Sequence, residues 1–169
     1  SGLLSIKDRL FVCNVDEKSV SEGNEYTNKF IKKFGENDTI IICADTENQI
    51  NQLSENEKKN YLEMLNRKEA GLNILINKAY KTLRLQTFFT SGLEETRAWT
   101  INKNCTAPEA AGVIHSDFEK GFIRAETVSF HNFIQCGGWS KAKDQGKLRL
   151  EGKDYNVKDG DVLNFRFNT

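Results

Sequence analysis

Apolar positions along this chain fall first in unbroken runs, then at helical spacing, then in alternation, and each pattern predicts an element. Leu10-Phe11-Val12-Cys13 and Thr39-Ile40-Ile41-Ile42-Cys43 are short unbroken runs, which suit parallel strands covered on both faces. Between them Tyr26, Phe30, Ile31 and Phe34 recur at helical spacing and Gly35 supplies a stop. The unit is strand, helix, strand, within about the 30 residues that a βαβ crossover needs. Its right-handed connection brings the strand ends, Asn14 to Glu17 and Cys43 to Asp45, side by side on one sheet edge, where ligands of open α/β sheets bind.

Downstream, Ser54 and Glu57 have capping-box spacing and open a helix expected to bury Tyr61, Leu62 and Leu65. After Gly71, the residues Leu72, Leu75, Ile76, Ala79, Tyr80 and Leu83 form an i, i+3, i+4, i+7 stripe, with Asn73, Asn77, Lys78 and Lys81 outside it. From Leu85 the pattern becomes that of a sheet. Leu85 to Thr90 and Arg97 to Ile101, joined by Ser91-Gly92-Leu93-Glu94, predict a hairpin. Thr106, Pro108 and Glu109 start a helix whose Ala110, Ala111, Val113 and Ile114 give a narrow face, and it runs into a turn at His115 to Gly121. Ile123 to Phe130 is rich in strand formers, Lys141 to Gln145 predicts a short helix, and Val162 to Phe167 puts Leu163, Phe165 and Phe167 on one face. Hairpin, helix, then returning strands is the α+β plan of a β-grasp, ubiquitin-like module. The expected division is 1–84, α/β, and 85–169, α+β.

Charge excludes little but sharpens the search. Lysine plus arginine balance aspartate plus glutamate at 24 each, with 13 of each in residues 1–84 and 11 of each in 85–169, so no global basic field announces nucleic acid. No apolar run approaches the roughly 20 residues of a membrane span and no signal-peptide pattern is visible; a cytoplasmic location without a membrane partner is expected. Cys13, Cys43, Cys105 and Cys136 are scattered and only two histidines accompany them, which lacks the short ligand spacings of a zinc site. Reduced thiols fit.

The stretch with chemical content is Asn14-Val15-Asp16-Glu17, at the end of the first strand. N-x-x-[DE] there resembles the base-reading element NKxD of P-loop GTPases, in which the amide meets the base edge and the carboxylate accepts the guanine N–H groups. Val15 stands in place of the lysine and Glu17 in place of aspartate. Cys43-Ala44 similarly resembles the S/C-A element that closes beside the base. No G-x-x-x-x-G-K-[ST] run occurs among the twelve glycines, and no D-x-x-G element for magnesium. Without a phosphate cradle, residues 1–169 lack the parts that perform phosphoryl transfer, so no catalytic residue and no metal ligand is assigned.

FFTSGLEETRAWTI, TAPEAAGVIHSDFEKGFIRAE and EGKDYNVKDGDVLNFRFN resemble the C-terminal TGS domain of the YchF/Obg-like ATPases, and GLNILINKAYKTLRLQTFF resembles the helix that joins it to their nucleotide-binding domain. The resemblance implies that 1–84 is the C-terminal part of an OBG-type G domain of P-loop NTPase fold and that 85–169 is a TGS domain. It also implies ATP in preference to GTP, with Asn14, Val15 and Glu17 facing adenine and Cys43 and Ala44 beside it. The P-loop and the Mg²⁺ that accompanies ATP would belong to sequence upstream of Ser1. An intact parent would be a ribosome-associated ATPase contacting the large subunit and its RNA, and this portion would be inactive alone.

Two further groups remain. Lys141, Lys143, Lys147, Arg149 and Lys153 form a basic stretch diluted by Asp144 and Glu151. It is either a solvated face or a phosphate-contact surface for ribosomal RNA, with Arg124 and Arg166 nearby if the strands pair as expected. His115, adjacent to Ser116 and Asp117, cannot form a triad from sequence neighbours and suits a helix-terminal hydrogen bond. Two alternatives to the ATPase portion are a TGS-type regulatory module of another translation or stringent-response protein and an interaction domain without nucleotide. Residues 10–13, as a strand with one unpaired edge, are also expected to support self-association.

Overall fold

Phe11–Asn14 forms β1 and Thr39–Ile42 forms β2 in the computed structural model, which describes Leu3 and residues 6–168. The two strands are parallel, with Phe11 opposite Thr39 and Asn14 opposite Ile42. The crossover is α1 (Glu25–Phe34). Asn24 caps it, its side chain accepting from the Tyr26 and Thr27 N–H groups, and Gly35 ends it at φ 94°. Phe11 lies against Phe30 and Phe34, with ring centroids 5.2 and 4.9 Å apart. Tyr26, expected on the buried stripe, is 79% exposed, and the cap residue Thr27 is buried instead. The capping box at the helix start decides this, since it turns Thr27 inward.

After β2 the chain enters α2 (Ala44–Gln52), α3 (Glu55–Met64) and α4 (Gly71–Thr82). Ser54 and Glu57 make the expected capping box. The N-terminus of α4 is capped from α2: Glu47 accepts from the Gly71 and Leu72 N–H groups at 2.7 and 3.1 Å. A Cβ on Gly71 would meet Glu47 Oε1 and Ile42 Cγ2, both at 2.7 Å, so the approach requires glycine. The stripe on α4 is rotated from expectation. Leu72 and Ile76 are exposed, and Leu83 lies beyond the helix end, whereas Lys78 turns inward and donates to the Glu36, Asn37 and Thr39 carbonyls at 3.3, 2.9 and 3.0 Å. Carbonyls at a turn and a strand edge need a donor, and that requirement outweighs apolar periodicity.

The second unit, Leu83–Thr169, is distinct from Ser1–Thr82. Its strands are β3 (Leu85–Ser91), β4 (Thr96–Asn102), β5 (Phe122–Ser129), β6 (Arg149–Glu151) and β7 (Asp161–Phe167), in the order β4-β3-β7-β5-β6. β3 and β4 form the expected antiparallel hairpin, and β3 runs parallel to β7. On one face lies α5 (Ala107–Ile114), started by the Thr106–Glu109 box with Pro108 in its first turn. Ala107, Ala110 and Ala111 are fully buried, and their small side chains let the helix lie close on Phe88, Ile101, Ala125, Leu163 and Phe165. Val113, expected on that face, is exposed. Phe88 is wholly buried and meets Phe165 edge-on, centroids 5.9 Å apart.

The predicted turn at His115 contains a short helix, α6 (Ser116–Lys120), and His115 Nδ1 accepts from the Asp117 N–H at its start. Phe130 does not continue β5: it opens α7 (Phe130–Cys136), which Gly137 ends at φ 75°. α8 (Trp139–Asp144) follows, as expected, and Cys136 and Ala142 bury against Val128 on the second face of the sheet. Among the described residues no helix is long and apolar enough to cross a membrane.

Candidate functional site

The parallel register that sets Asn14 opposite Ile42 delivers both strand ends to one edge. Asn14 is the last residue of β1, and its Oδ1 accepts from the Ala44 N–H at 3.0 Å. The Val15 N–H continues the ladder to the Ile42 carbonyl at 2.9 Å. Asn14-Val15 and Cys43-Ala44 are therefore locked together, through an amide whose N–H₂ keeps its donors. Cys43 is buried at the N-cap position of α2, and the helix that begins beside Asn14 was not expected from sequence; its signal was Asp45 and Glu47 in a first turn.

Asp16 is engaged locally. It caps a single 3₁₀ turn at Glu17–Ser19, accepting from the Ser19 N–H at 2.9 Å. Hydrogen bonds from the Ser19 hydroxyl and backbone hold its carboxyl below the usual range. This turn sets the direction of Glu17, which is exposed. Glu17 Oε1 lies 3.1 Å from the Tyr61 hydroxyl of α3, which also meets Gln49 Oε1 of α2 at 2.7 Å. Burial first, then the hydrogen bond and charge of Glu17, push the Tyr61 phenol above its ordinary value of 10.0. Tyr61 and Gln49 were not anticipated as site residues; 44 and 32 positions separate them from Glu17, and only the packing of α2 and α3 brings them there.

Chemically, this edge offers an amide, an exposed carboxylate and backbone groups at a helix start. That set can read the polar edge of a heterocyclic base. It contains no cluster that cradles phosphate, and among the described residues no three His, Cys, Asp or Glu side chains group to hold a metal ion.

The cations singled out in the second unit divide between two faces. Arg124 sits opposite Arg166 across β5 and β7. Arg166 pairs with Glu126 at 3.1 Å, and Asn164 donates to the same carboxylate at 2.8 Å. Burial would raise Glu126, but the hydrogen bonds from Arg166 and Asn164 and the charges of Arg166 and Arg124 outweigh it and hold the carboxyl low. Arg149 lies opposite Thr127, so the pleat puts it on the face away from Arg124 and Arg166. It is engaged by Glu151 at 2.8 Å, Asp161 at 3.6 Å and the Tyr155 hydroxyl at 3.1 Å. Lys141, Lys143, Lys147 and Lys153 are exposed.

Comparison with known proteins gives one consistent result. Residues 85–168 match the family YchF-GTPase_C, described as a protein of unknown function (DUF933). The chain is 50% identical to the ribosome-binding ATPase YchF of Bacillus subtilis, over 98% of this chain and 46% of that protein. It is 47% identical to that of Escherichia coli O157:H7, over 99% of this chain and 46% of the relative. It thus spans about half the length of these curated relatives. Among solved structures it is similar to the Schizosaccharomyces pombe YchF GTPase, with TM-score 0.78 and 29% identity over 93% of this chain and 43% of that one. A GTP binding protein from Pyrococcus horikoshii shares the fold, with TM-score 0.58 at 16% identity.

Proposed function

The chain belongs to the YchF family, and from that premise we propose that it is the base-reading and contact portion of a cytoplasmic, ribosome-associated ATPase that binds ATP in preference to GTP. The observation that carries this reading is the Asn14 to Ala44 hydrogen bond at 3.0 Å, which joins the N-x-x-E element to the Cys43-Ala44 element. Asn14, Val15 and Glu17 face adenine, and Cys43 and Ala44 flank it. The relatives' names include both ATPase and GTPase, so the preference for adenine rests on Glu17 and Val15.

Residues 1–84 are the C-terminal part of the nucleotide-binding domain, and 85–169 are a β-grasp TGS module. The order β4-β3-β7-β5-β6 with β3 and β7 parallel supports the latter. Arg124 and Arg166, with the exposed lysines of α8, are its RNA-facing cations, contacting ribosomal RNA of the large subunit through phosphate. In the working ATPase, Mg²⁺ and the β- and γ-phosphates are held by groups other than those on this edge, and ATP supplies the phosphoryl group that is transferred. Residues 1–169 alone hydrolyse neither nucleotide, because base contacts cannot stabilise charge on a transferring phosphoryl group.

Calorimetric titration of the chain with ATP and with GTP tests the reading. ATP binding tighter than GTP binding, and abolished by Asn14→Ala, is expected. Equal affinity for the two, or phosphate release above a protein-free control that Asn14→Ala removes, contradicts it.

A further inference from the structure

Tyr61 stands 44 residues from Glu17 in sequence, yet its hydroxyl lies 3.1 Å from Glu17 Oε1 and 2.7 Å from Gln49 Oε1. A phenol has one hydrogen to give. Turning the Gln49 amide about its last bond puts an N–H on the phenol oxygen and releases that hydrogen to the carboxylate, so both contacts are satisfied together. The ionised carboxylate is the stronger acceptor, and the bond to it is charge-assisted. Glu17 is thereby held at one oxygen by a relay from α2 through α3, while its other oxygen has no hydrogen-bond partner among the described residues.

We propose that Tyr61 is a specificity-determining positioning residue: by occupying Oε1 of Glu17 it leaves a single free carboxylate oxygen, which suits adenine and disfavours guanine. This rests on the reading of Asn14 to Glu17 as a base site. Guanine presents two adjacent donors, N1–H and the N2 amine, and a carboxylate reads them best with both oxygens free. Adenine presents one donor at that edge, the N6 amine, beside an acceptor nitrogen. A guanine seated here must either leave one donor unpaired or displace the Tyr61 hydroxyl, and either outcome forfeits about one hydrogen bond to a charged group. Discrimination therefore comes partly from a contact that opposes the wrong base. The longer side chain of Glu17 has a role in this: it reaches Tyr61, which packs from the third helix.

The test uses adenosine 5′-monophosphate and guanosine 5′-monophosphate as probes, with affinities taken from NMR shifts of the chain. Tyr61→Phe keeps the ring and removes the hydroxyl. The expected result is a shift of the AMP to GMP affinity ratio toward GMP by about tenfold or more, the size of one hydrogen bond to a charged group. Wild-type preference for AMP with an unchanged ratio in Tyr61→Phe overturns the role of Tyr61 and leaves the base site standing. No shift with either probe in the wild type overturns both. Folding of the variant does not decide the matter alone, because the relay has a second signature: in an otherwise intact chain, Glu17→Gln should lower the Tyr61 phenol pKa, read from its ring carbon shift. A phenol pKa that ignores Glu17→Gln means that the contact is absent and the proposal is wrong.

Discussion

Asn14 and Ala44, 30 residues apart, are joined by a hydrogen bond from the Ala44 N–H to the Asn14 side-chain oxygen at 3.0 Å. This bond makes one edge out of two strand ends. It satisfies a donor in the first turn of α2 that would otherwise be left to solvent, and it fixes which way the Asn14 amide points.

Replacing Asn14 by alanine should therefore act locally. The variant should lose about 0.5 to 1.5 kcal/mol of stability, the net value of one hydrogen bond, with the Ala44 amide exchanging its hydrogen faster than in the wild type. Denaturant unfolding and hydrogen exchange check this together. Unaltered exchange at Ala44 would mean that the bond does not hold the edge.

The outer edges of the two-stranded sheet are treated differently. On β2, the Thr39 carbonyl accepts from Lys78 at 3.0 Å and the Ile41 carbonyl from both terminal nitrogens of Arg67 at 3.4 Å. On β1, the Phe11 and Val15 N–H groups face β2, so Val12 and Asn14 present their backbone outward, and among the described residues no strand pairs there. Exposed strand edges invite pairing, and inserted cations are a common protection. Sedimentation of the chain should show mass rising with concentration, and Val12→Lys should suppress it. Hydrogen exchange should be faster at Val12 than at Leu163. A monomer at all concentrations with a slowly exchanging Val12 amide would refute this edge assignment.

Acid should weaken the start of α5. Glu109 accepts from the Thr106 N–H and hydroxyl at 2.7 and 2.8 Å, and these bonds, the backbone one first, hold its carboxyl below the ordinary 4.5. A depressed carboxyl contributes stability that is complete above 4.5 and is lost as pH falls through the lower, folded value. Glu109→Gln keeps an acceptor for the box but does not titrate. Its thermal midpoint should thus fall less than that of the wild type between about pH 5 and about pH 3, which bracket the ordinary carboxylate value. Parallel acid profiles for the two proteins would remove Glu109 as a source. Thr106→Ala should cost about 1 kcal/mol at neutral pH.

The elements legible in the sequence were those with local punctuation. The Ser54–Glu57 and Thr106–Glu109 boxes, the Gly35 stop and the hairpin turn at Gly92 each act within a few residues, and each stands where its pattern puts it. What was misread depended on distant partners. Lys78 turns inward to reach the carbonyls of Glu36, Asn37 and Thr39, a demand made some 40 residues earlier in the chain that hydrophobic periodicity does not record. Phe130, read as the end of a strand, begins a helix, and Gly137 and Gly138, at φ 75° and 119°, turn the chain after it while Cys136 and Ala142 pack on Val128. The candidate site divides in the same way. Asn14, Val15 and Glu17 were visible as a motif after a strand, whereas Tyr61 and Gln49 carry no motif and become neighbours of Glu17 only through the packing of α2 and α3.

Adenine reading is proposed for Asn14, Val15 and Glu17, with Cys43 and Ala44 beside the base. Titrating isotopically labelled chain with AMP and mapping the amide shifts tests it most directly. Saturable shifts are expected at Asn14, Val15, Glu17, Cys43 and Ala44, with a smaller response at Tyr61 and none in β3 to β7. Shifts confined to residues 85–168, or an unperturbed Ala44 amide at saturating AMP, would contradict it.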